Sequence, residues 1–223
     1  MKALILAAGR GDRMRPLTDT MPKPLITLKG RPLIEYHLRD LAEVGVKEFV
    51  INLGWLGDRI QSHLGDGSRF GVHIRYSSEG WPALETGGGI FNALKLLGPG
   101  AFIVVNADVY AEYPWFKLLG RANTLPATDV AHLVLVPNPE HLKKGDFAYA
   151  DGRIVEPGEA THTFSGISIL RPVLFAGQHP GKFPLAPLLR AGSRAGRVSA
   201  EVFNGLWSDV GTPERLAELE KRI

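Results

Sequence analysis

The residues best suited to chemistry stand in two clusters near the N-terminus. The first run reads Leu6-Ala7-Ala8-Gly9-Arg10-Gly11-Asp12-Arg13-Met14-Arg15-Pro16-Leu17-Thr18. Glycines let backbone N–H groups approach phosphate oxygens closely, and guanidinium groups bind such oxygens in pairs. Two familiar phosphate motifs fail against it. A dinucleotide fingerprint needs glycine where Met14 stands, and a P-loop needs a longer gap between its glycines followed by Lys-Ser or Lys-Thr. A tight surface turn with incidental arginines would read the same way so far. A few residues on, Pro22-Lys23-Pro24-Leu25 places a lysine between two prolines, whose fixed φ restricts where its ammonium can point. Such a group suits a phosphate that gains charge during a reaction, although lysines between prolines are also common in loops.

The elements around these runs alternate in type. Lys2–Ala8 is continuously apolar, as strands in the middle of a parallel sheet are, and Gly9–Thr20 reads as a loop. Pro32 opens a predicted helix with Ile34, Leu38, Leu41 and Val44 on one face, ending near Gly45. A strand is predicted over Glu48–Leu53, a helix over Leu56–Leu64 and a strand over Gly71–Ser77. A second glycine cluster, Gly87-Gly88-Gly89, is expected to lead into a helix over Ile90–Leu97. Ala101–Val105 is the next predicted strand, with Asn106-Ala107-Asp108 directly behind it.

Strands and helices at this spacing predict an α/β fold with a Rossmann-like, mostly parallel sheet flanked by helices. Beyond Asp129 the pattern changes to strand-like runs over Val130–Val136, Phe147–Ala150, Arg153–Glu156 and Thr163–Leu170. Asp151-Gly152 marks a hairpin turn, and Thr212-Pro213 caps a last helix carrying Leu216, Leu219 and Ile223. The chain stops behind that helix, which leaves no room for a hexapeptide-repeat solenoid.

Composition excludes several classes. The 26 Lys and Arg against 23 Asp and Glu give a net charge of only +3, and they are scattered, so no nucleic-acid footprint is expected. With no cysteine, disulfides, thiolate catalysis and cysteine–zinc sites are ruled out. The seven histidines, at 37, 63, 73, 132, 141, 162 and 179, show no metal-ligand spacing and read as core or surface residues. The apolar start of the chain is too short to span a membrane and lacks a signal cleavage region, so a cytoplasmic protein without a membrane partner is expected.

The run Leu6–Met14 followed by Pro22-Lys23-Pro24-Leu25 resembles the sugar-1-phosphate nucleotidyltransferases, which join a nucleoside triphosphate to a sugar 1-phosphate and release pyrophosphate. Asp108 behind its strand and Trp207-Ser208-Asp209-Val210-Gly211-Thr212 match in the same order, so the resemblance covers essentially the whole chain. Leu84-Glu85-Thr86-Gly87-Gly88-Gly89 and Phe164-Ser165-Gly166-Ile167-Ser168 are most similar to the N-acetylmuramate-1-phosphate uridylyltransferase branch, which serves peptidoglycan recycling.

The resemblance implies a GT-A-like fold in one domain over 1–223. A nucleotide-binding half would cover about 1–128, and a small β-rich sugar-binding half about 129–223. It implies Mg²⁺ on Asp108 and Asp209, with Arg13 on the departing pyrophosphate and Lys23 on the α-phosphate. By itself Asp108 would serve equally as a helix or turn cap. The nucleotide, UTP on this branch, would lie against Leu6, Ala7, Ala8, Gly9 and Gly11, its base meeting Glu79, Leu84, Thr86 and Gly87. Glu79 would accept the uracil N3–H, although a carboxylate serves guanine as well, and an exposed loop glutamate would look no different. Trp81-Pro82-Ala83-Leu84 makes this approach one residue longer than the family's usual one.

For the sugar, the resemblance points to Asp108, Gly145, Asp146, Glu156, Thr163 and Gly166. One departure stands out. Many relatives read Glu-Lys-Pro with the lysine on the sugar phosphate, whereas this chain reads Val155-Glu156-Pro157. Either another cation replaces that lysine, or metal and loop alone hold the phosphate. Lys143 and Lys144 are nearby, and a solvated pair is the plainer reading of them.

The implied reaction needs no general base, because a sugar phosphate is already an anionic nucleophile, so catalysis rests on positioning and charge neutralisation. Mannose-1-phosphate guanylyltransferase and glucose-1-phosphate uridylyl- or thymidylyltransferase keep this chemistry with other substrates. A catalytically silent nucleotide-sugar sensor would be expected to lack Asp108, Asp209, Arg13 or Lys23, and all are present. The chain is expected to be a monomer or a small homo-oligomer.

Overall fold

Strand β1 (Lys2–Leu6) runs through the middle of the main sheet, its three central residues fully buried, which is why the sequence there has no polar interruption. The computed structural model describes residues 1–142 and 144–223, so Lys143 lies outside the described residues. After β1 come the short helix α1 (Leu17–Thr20) and the two-residue strands β2 (Thr27–Leu28) and β3 (Arg31–Pro32). Then follow α2 (Leu33–Glu43), β4 (Glu48–Leu53), α3 (Gly57–Leu64), β5 (His73–Ser78), α4 (Glu85–Leu97), β6 (Phe102–Asn106), β7 (Val109–Ala111) and α5 (Trp115–Thr124). The second half contains β8 (Ala131–Pro137), β9 (Ala148–Ala150), β10 (Arg153–Val155), β11 (His162–Leu170), α6 (Ala186–Arg194), β12 (Val198–Val202), β13 (Trp207–Asp209) and α7 (Pro213–Arg222).

Nine strands form one sheet in the order β5-β4-β1-β6-β11-β8-β12-β10-β9. The first four are parallel, β11 runs against both β6 and β8, and β12 is parallel to β8. From β1 the chain moves outward through β4 and β5, then returns to pair β6 on the other side of β1. That reversal is a topological switch point, and the crevice beyond the carboxyl ends of β1 and β6 is where open α/β sheets bind ligands.

Apolar stripes set the layers. Ile34, Leu38 and Leu41 of α2, Ile60 and Leu64 of α3, and Leu118 and Ala122 of α5 pack on one face of the sheet. Ile90, Ala93 and Leu97 of α4 and Leu189 of α6 cover the other. A third cluster joins Met14, Ile26, Leu28 and Leu33 to Val210 and Leu219, fastening the N-terminal loop to α7.

The mixed, mostly parallel sheet with flanking helices is as expected, with two differences. The glycine cluster lies inside the first turns of α4 rather than ahead of it. It is there because segment 181–183 crosses the helix. Phe183 O accepts the Gly88 N–H at 3.0 Å, and a β-carbon at Gly88 would meet Gly181 O at 2.2 Å. Second, α5, α6, β2, β3, β7, β12 and β13 have no counterpart among the elements expected from the sequence, and the single turn α1 falls inside the span Gly9–Thr20 expected as a loop. The two sequence halves also share the sheet, since β8 to β12 extend it directly from β6 through β11.

Candidate active site

The floor of the crevice is the end of β1, where Leu6 pairs in register with Asn52 of β4 and Asn106 of β6. Asn52 Oδ1 accepts the Ala7 N–H at 2.6 Å, and its amide donates to Glu79 Oε1, while Glu79 Oε2 accepts the Leu84 N–H at 2.9 Å. Burial pushes the Glu79 carboxyl above its ordinary range, against the opposing pull of these two donors. A β-carbon at Gly89 would stand 2.3 Å from Glu79 Oε1, so glycine is required for this approach.

Gly11 has φ +72, a left-handed conformation that turns the loop sharply back, and its carbonyl accepts from Thr18 Oγ1 at 2.9 Å and the Met14 N–H at 2.8 Å. The buried Met14 anchors this turn. The three loop arginines separate by role. Arg10 pairs with Asp12 and Asp19 and stacks 4.0 Å above Trp55, and Arg15 pairs with Asp19 at 2.9 Å. Arg13 lines the crevice. Trp81, in the longer approach run, packs on the same Trp55 with ring centroids 5.5 Å apart.

Lys23 opens a single helical turn over Lys23–Leu25 and is only 7% exposed, and its ammonium pairs with the Asp108 carboxylate. Asp108 and Asp209, far apart in sequence, are brought together by the β7–β13 ladder. Val109 pairs with Asp209, and the Val210 N–H donates to Asp108 O at 2.8 Å. Asp209 Oδ2 accepts from Arg215 Nη1 at 2.5 Å. Its Oδ1 is buried without a hydrogen-bond partner among the described residues, and His141 Nε2 stands 3.3 Å away.

Hard carboxylate oxygens, one of them open, fit Mg²⁺, which takes one or two protein carboxylates and fills its octahedron with water and phosphate oxygens. No cluster of three or more His, Cys, Asp or Glu able to hold a metal occurs among the described residues. Behind the aspartates His37 is fully buried against the backbone of Asn106 and Val109, and burial holds its pKa down to about 4.

These groups surround a cleft of about 530 Å³. Of the expected site residues it is lined by Leu6, Ala7, Ala8, Gly9, Gly11, Arg13, Lys23, Glu79, Thr86 and Asp108. Asp209 adjoins it through Gly211, which is part of the wall. Leu84 and Gly87 are not part of the lining; Gly87 lies beneath Phe183, whose ring a β-carbon there would meet at 2.6 Å.

Apart from Asp108, the residues expected around the sugar lie outside this lining. Gly166, at φ +81 in a bulge of β11, packs on Asn106, which does line the cleft. Thr163 Oγ1 donates to Asn138 at 2.9 Å, Gly145 packs on the His162 backbone, and Asp146 Oδ2 accepts the Phe164 N–H at 2.9 Å. Glu156, standing where the resemblance expects lysine, pairs with Arg190 at 2.7 Å and Arg194 at 3.7 Å, and Arg190 also donates to Asp146 O. The cations at this position therefore come from α6. Lys144 is exposed, and Lys143 lies outside the described residues.

Asn52, His141, Arg190 and Arg215 were missed as contributors to the site. Only Asn52 left a trace, as a lone amide in an apolar strand.

A switch-point cleft with a glycine-rich loop, a buried lysine and paired carboxylates defines an α/β enzyme acting on nucleoside phosphates. Residues 2–154 match the Nucleotidyl transferase family, and the chain belongs to it. It is 50% identical to the N-acetylmuramate alpha-1-phosphate uridylyltransferase of Neisseria meningitidis serogroup B, over 99% of this chain and 97% of that protein. It is 37% identical to the protein of the same name from Caulobacter vibrioides, over 99% and 96%. A crystal structure described as a glucose-1-phosphate thymidylyltransferase from Bacillus anthracis superposes with a TM-score of 0.88, covering 100% of this chain and 96% of that one. At 20% identity that likeness bears on the fold alone. No helix among the described residues is long and apolar enough to cross a membrane.

Proposed function

We propose that the chain transfers the uridylyl group of UTP to N-acetyl-α-muramate 1-phosphate, releasing pyrophosphate and giving the UDP-sugar. The observation that carries this choice of substrates is the 50% identity, over nearly the full length of both chains, to a protein named for that activity. A cytoplasmic place in peptidoglycan recycling goes with these substrates.

Arg13, Lys23 and the backbone N–H groups of the Gly9–Gly11 turn present positive charge to the triphosphate. Lys23 is nearly free of water, and its ammonium rests on the Asp108 carboxylate, which would hold it where the α-phosphate would lie. Arg13, at the cleft wall beside Gly211, would hold the departing pyrophosphate. The Asn52–Glu79 pair fixes the wall that the base would meet. Asp108 and Asp209 would hold Mg²⁺, which would supply positive charge against the charge that develops on the α-phosphate. No residue has to accept a proton, because the attacking oxygen is already ionised.

A pyrophosphate-release screen of all nucleoside triphosphates against a panel of sugar 1-phosphates tests this reading. Turnover should be highest with UTP and N-acetylmuramate 1-phosphate, and chelation of divalent cations should abolish it. Arg13→Ala and Lys23→Ala should each lower kcat by ~10²–10³. Highest turnover with GTP and mannose 1-phosphate would overturn the substrate assignment. Undiminished turnover in Asp108→Asn would overturn the metal assignment.

A further inference from the structure

Arg215 holds one carboxylate oxygen of Asp209, and His141 Nε2 stands 3.3 Å from the other. Arg215 Nη1 donates to Oδ2 at 2.5 Å and approaches the Asp209 carbonyl oxygen at 3.4 Å, while Oδ1 stays buried without a hydrogen-bond partner among the described residues. A buried carboxylate oxygen left open costs stability unless a donor or cation meets it. Arg215 sits in the first turn of α7, where its backbone N–H donates to Thr212 Oγ1 at 3.4 Å, so its base is fixed by the helix cap. Between this guanidinium and the cleft stands Gly211. A β-carbon there would lie 2.7 Å from Arg215 Nη1 and 3.3 Å from Arg13 Nη2. A β-carbon at 211 would oblige the tip of the Arg215 side chain to shift from its present place on the aspartate.

We propose that Arg215 is the positioning residue for Asp209, holding Oδ2 so that Oδ1 is presented to the cation, with Gly211 leaving room for its guanidinium. The inference rests on reading Asp209 as a metal ligand. One guanidinium nitrogen, Nη1, meets both the carboxylate and the carbonyl of Asp209, and its charge is never lost to deprotonation. Groups that orient a metal ligand from behind commonly change metal affinity about 10–100-fold when removed.

The test uses the full chain and Mn²⁺ alone as probe, titrated by electron paramagnetic resonance, beside thermal unfolding and the Mg²⁺ dependence of turnover. Arg215→Ala should weaken Mn²⁺ binding about 10–100-fold and raise the Mg²⁺ needed for half-maximal rate in step. Arg215→Lys, which keeps a positive charge beside Oδ2, should recover part of it. Gly211→Ala, which keeps Arg215 in the chain and displaces only its tip, should give a smaller loss in a protein that unfolds near the wild-type temperature. In an Asp209→Asn background, Arg215→Ala should cost nothing further. A clamp that merely docks α7 would lower the unfolding temperature and leave Mn²⁺ affinity unchanged in Arg215→Ala, and that result overturns the proposal. If Asp209→Asn itself leaves Mn²⁺ affinity intact, the metal-ligand reading fails first, and this outcome is distinct from the failure of Arg215 alone.

Discussion

A single amide ties together three parts of the cleft. Asn52 holds the Ala7 N–H at the end of β1 and, through Glu79, the Leu84 N–H at the start of α4. Asn52→Ala leaves the N–H of buried Ala7 and the half-buried Glu79 carboxylate each short of a partner, at about 1–3 kcal/mol for such a loss. It should lower the urea midpoint and raise the KM for UTP much more than it lowers kcat, as measured by steady-state kinetics on both substrates. A fall confined to kcat would show that the amide does not shape the nucleotide wall. Arg13, Lys23 and Asp108 were legible because they stand in or beside contiguous runs whose residue types bear directly on phosphate. Asn52 and Arg215 were not, because their partners lie 45 and 6 positions away and only the folded chain shows that those partners need orienting.

At the scale of elements, apolar runs and helical stripes were enough to read the parallel half of the sheet. Glu48–Leu53 was anticipated residue for residue, and α2 to within its caps. The three-residue strands β7 and β13 were not readable, since their pairing joins distant segments and neither has room for a pattern. The α5 stripe of Trp115, Leu118 and Ala122 is present in the sequence at helical spacing.

Gly88 shows how context reverses a propensity. Replacing glycine by alanine inside a helix ordinarily gains about 1 kcal/mol. Gly120 of α5, where a β-carbon would have nothing within 4 Å, should behave that way, and Gly120→Ala should raise the urea midpoint. At Gly88 the β-carbon would meet a carbonyl oxygen at 2.2 Å, and the segment crossing α4 would have to lift and give up its hydrogen bond to the helix. Gly88→Ala should therefore lower the midpoint, by about 1–3 kcal/mol of stability. A rise at both positions would mean that segment 181–183 is not seated on α4.

For the molecule as a whole, the pH dependence of stability should carry the mark of His37. The residue sits on α2, edge-on to Trp115 of α5 with ring centroids 5.9 Å apart, and lies against the backbone behind Asp108. Desolvation holds its folded pKa at about 4, against an ordinary 6.5. The unfolded chain thus takes up a proton between these values that the native protein refuses. Stability is fully present above the unfolded pKa and is lost as pH falls toward the folded one. The shifted carboxyls act lower on the scale and partly cancel. Burial raises Glu79 and Asp40, which favours the native state as they protonate, whereas Glu35 and Glu201 are held low and add to the acid loss. Moving from about pH 7 to about pH 5 should therefore lower the unfolding free energy by about 2 kcal/mol through His37. Urea titrations at several pH values check this, and in His37→Phe the dependence over that interval should flatten. An equally steep fall in His37→Phe would place the acid sensitivity elsewhere in the molecule.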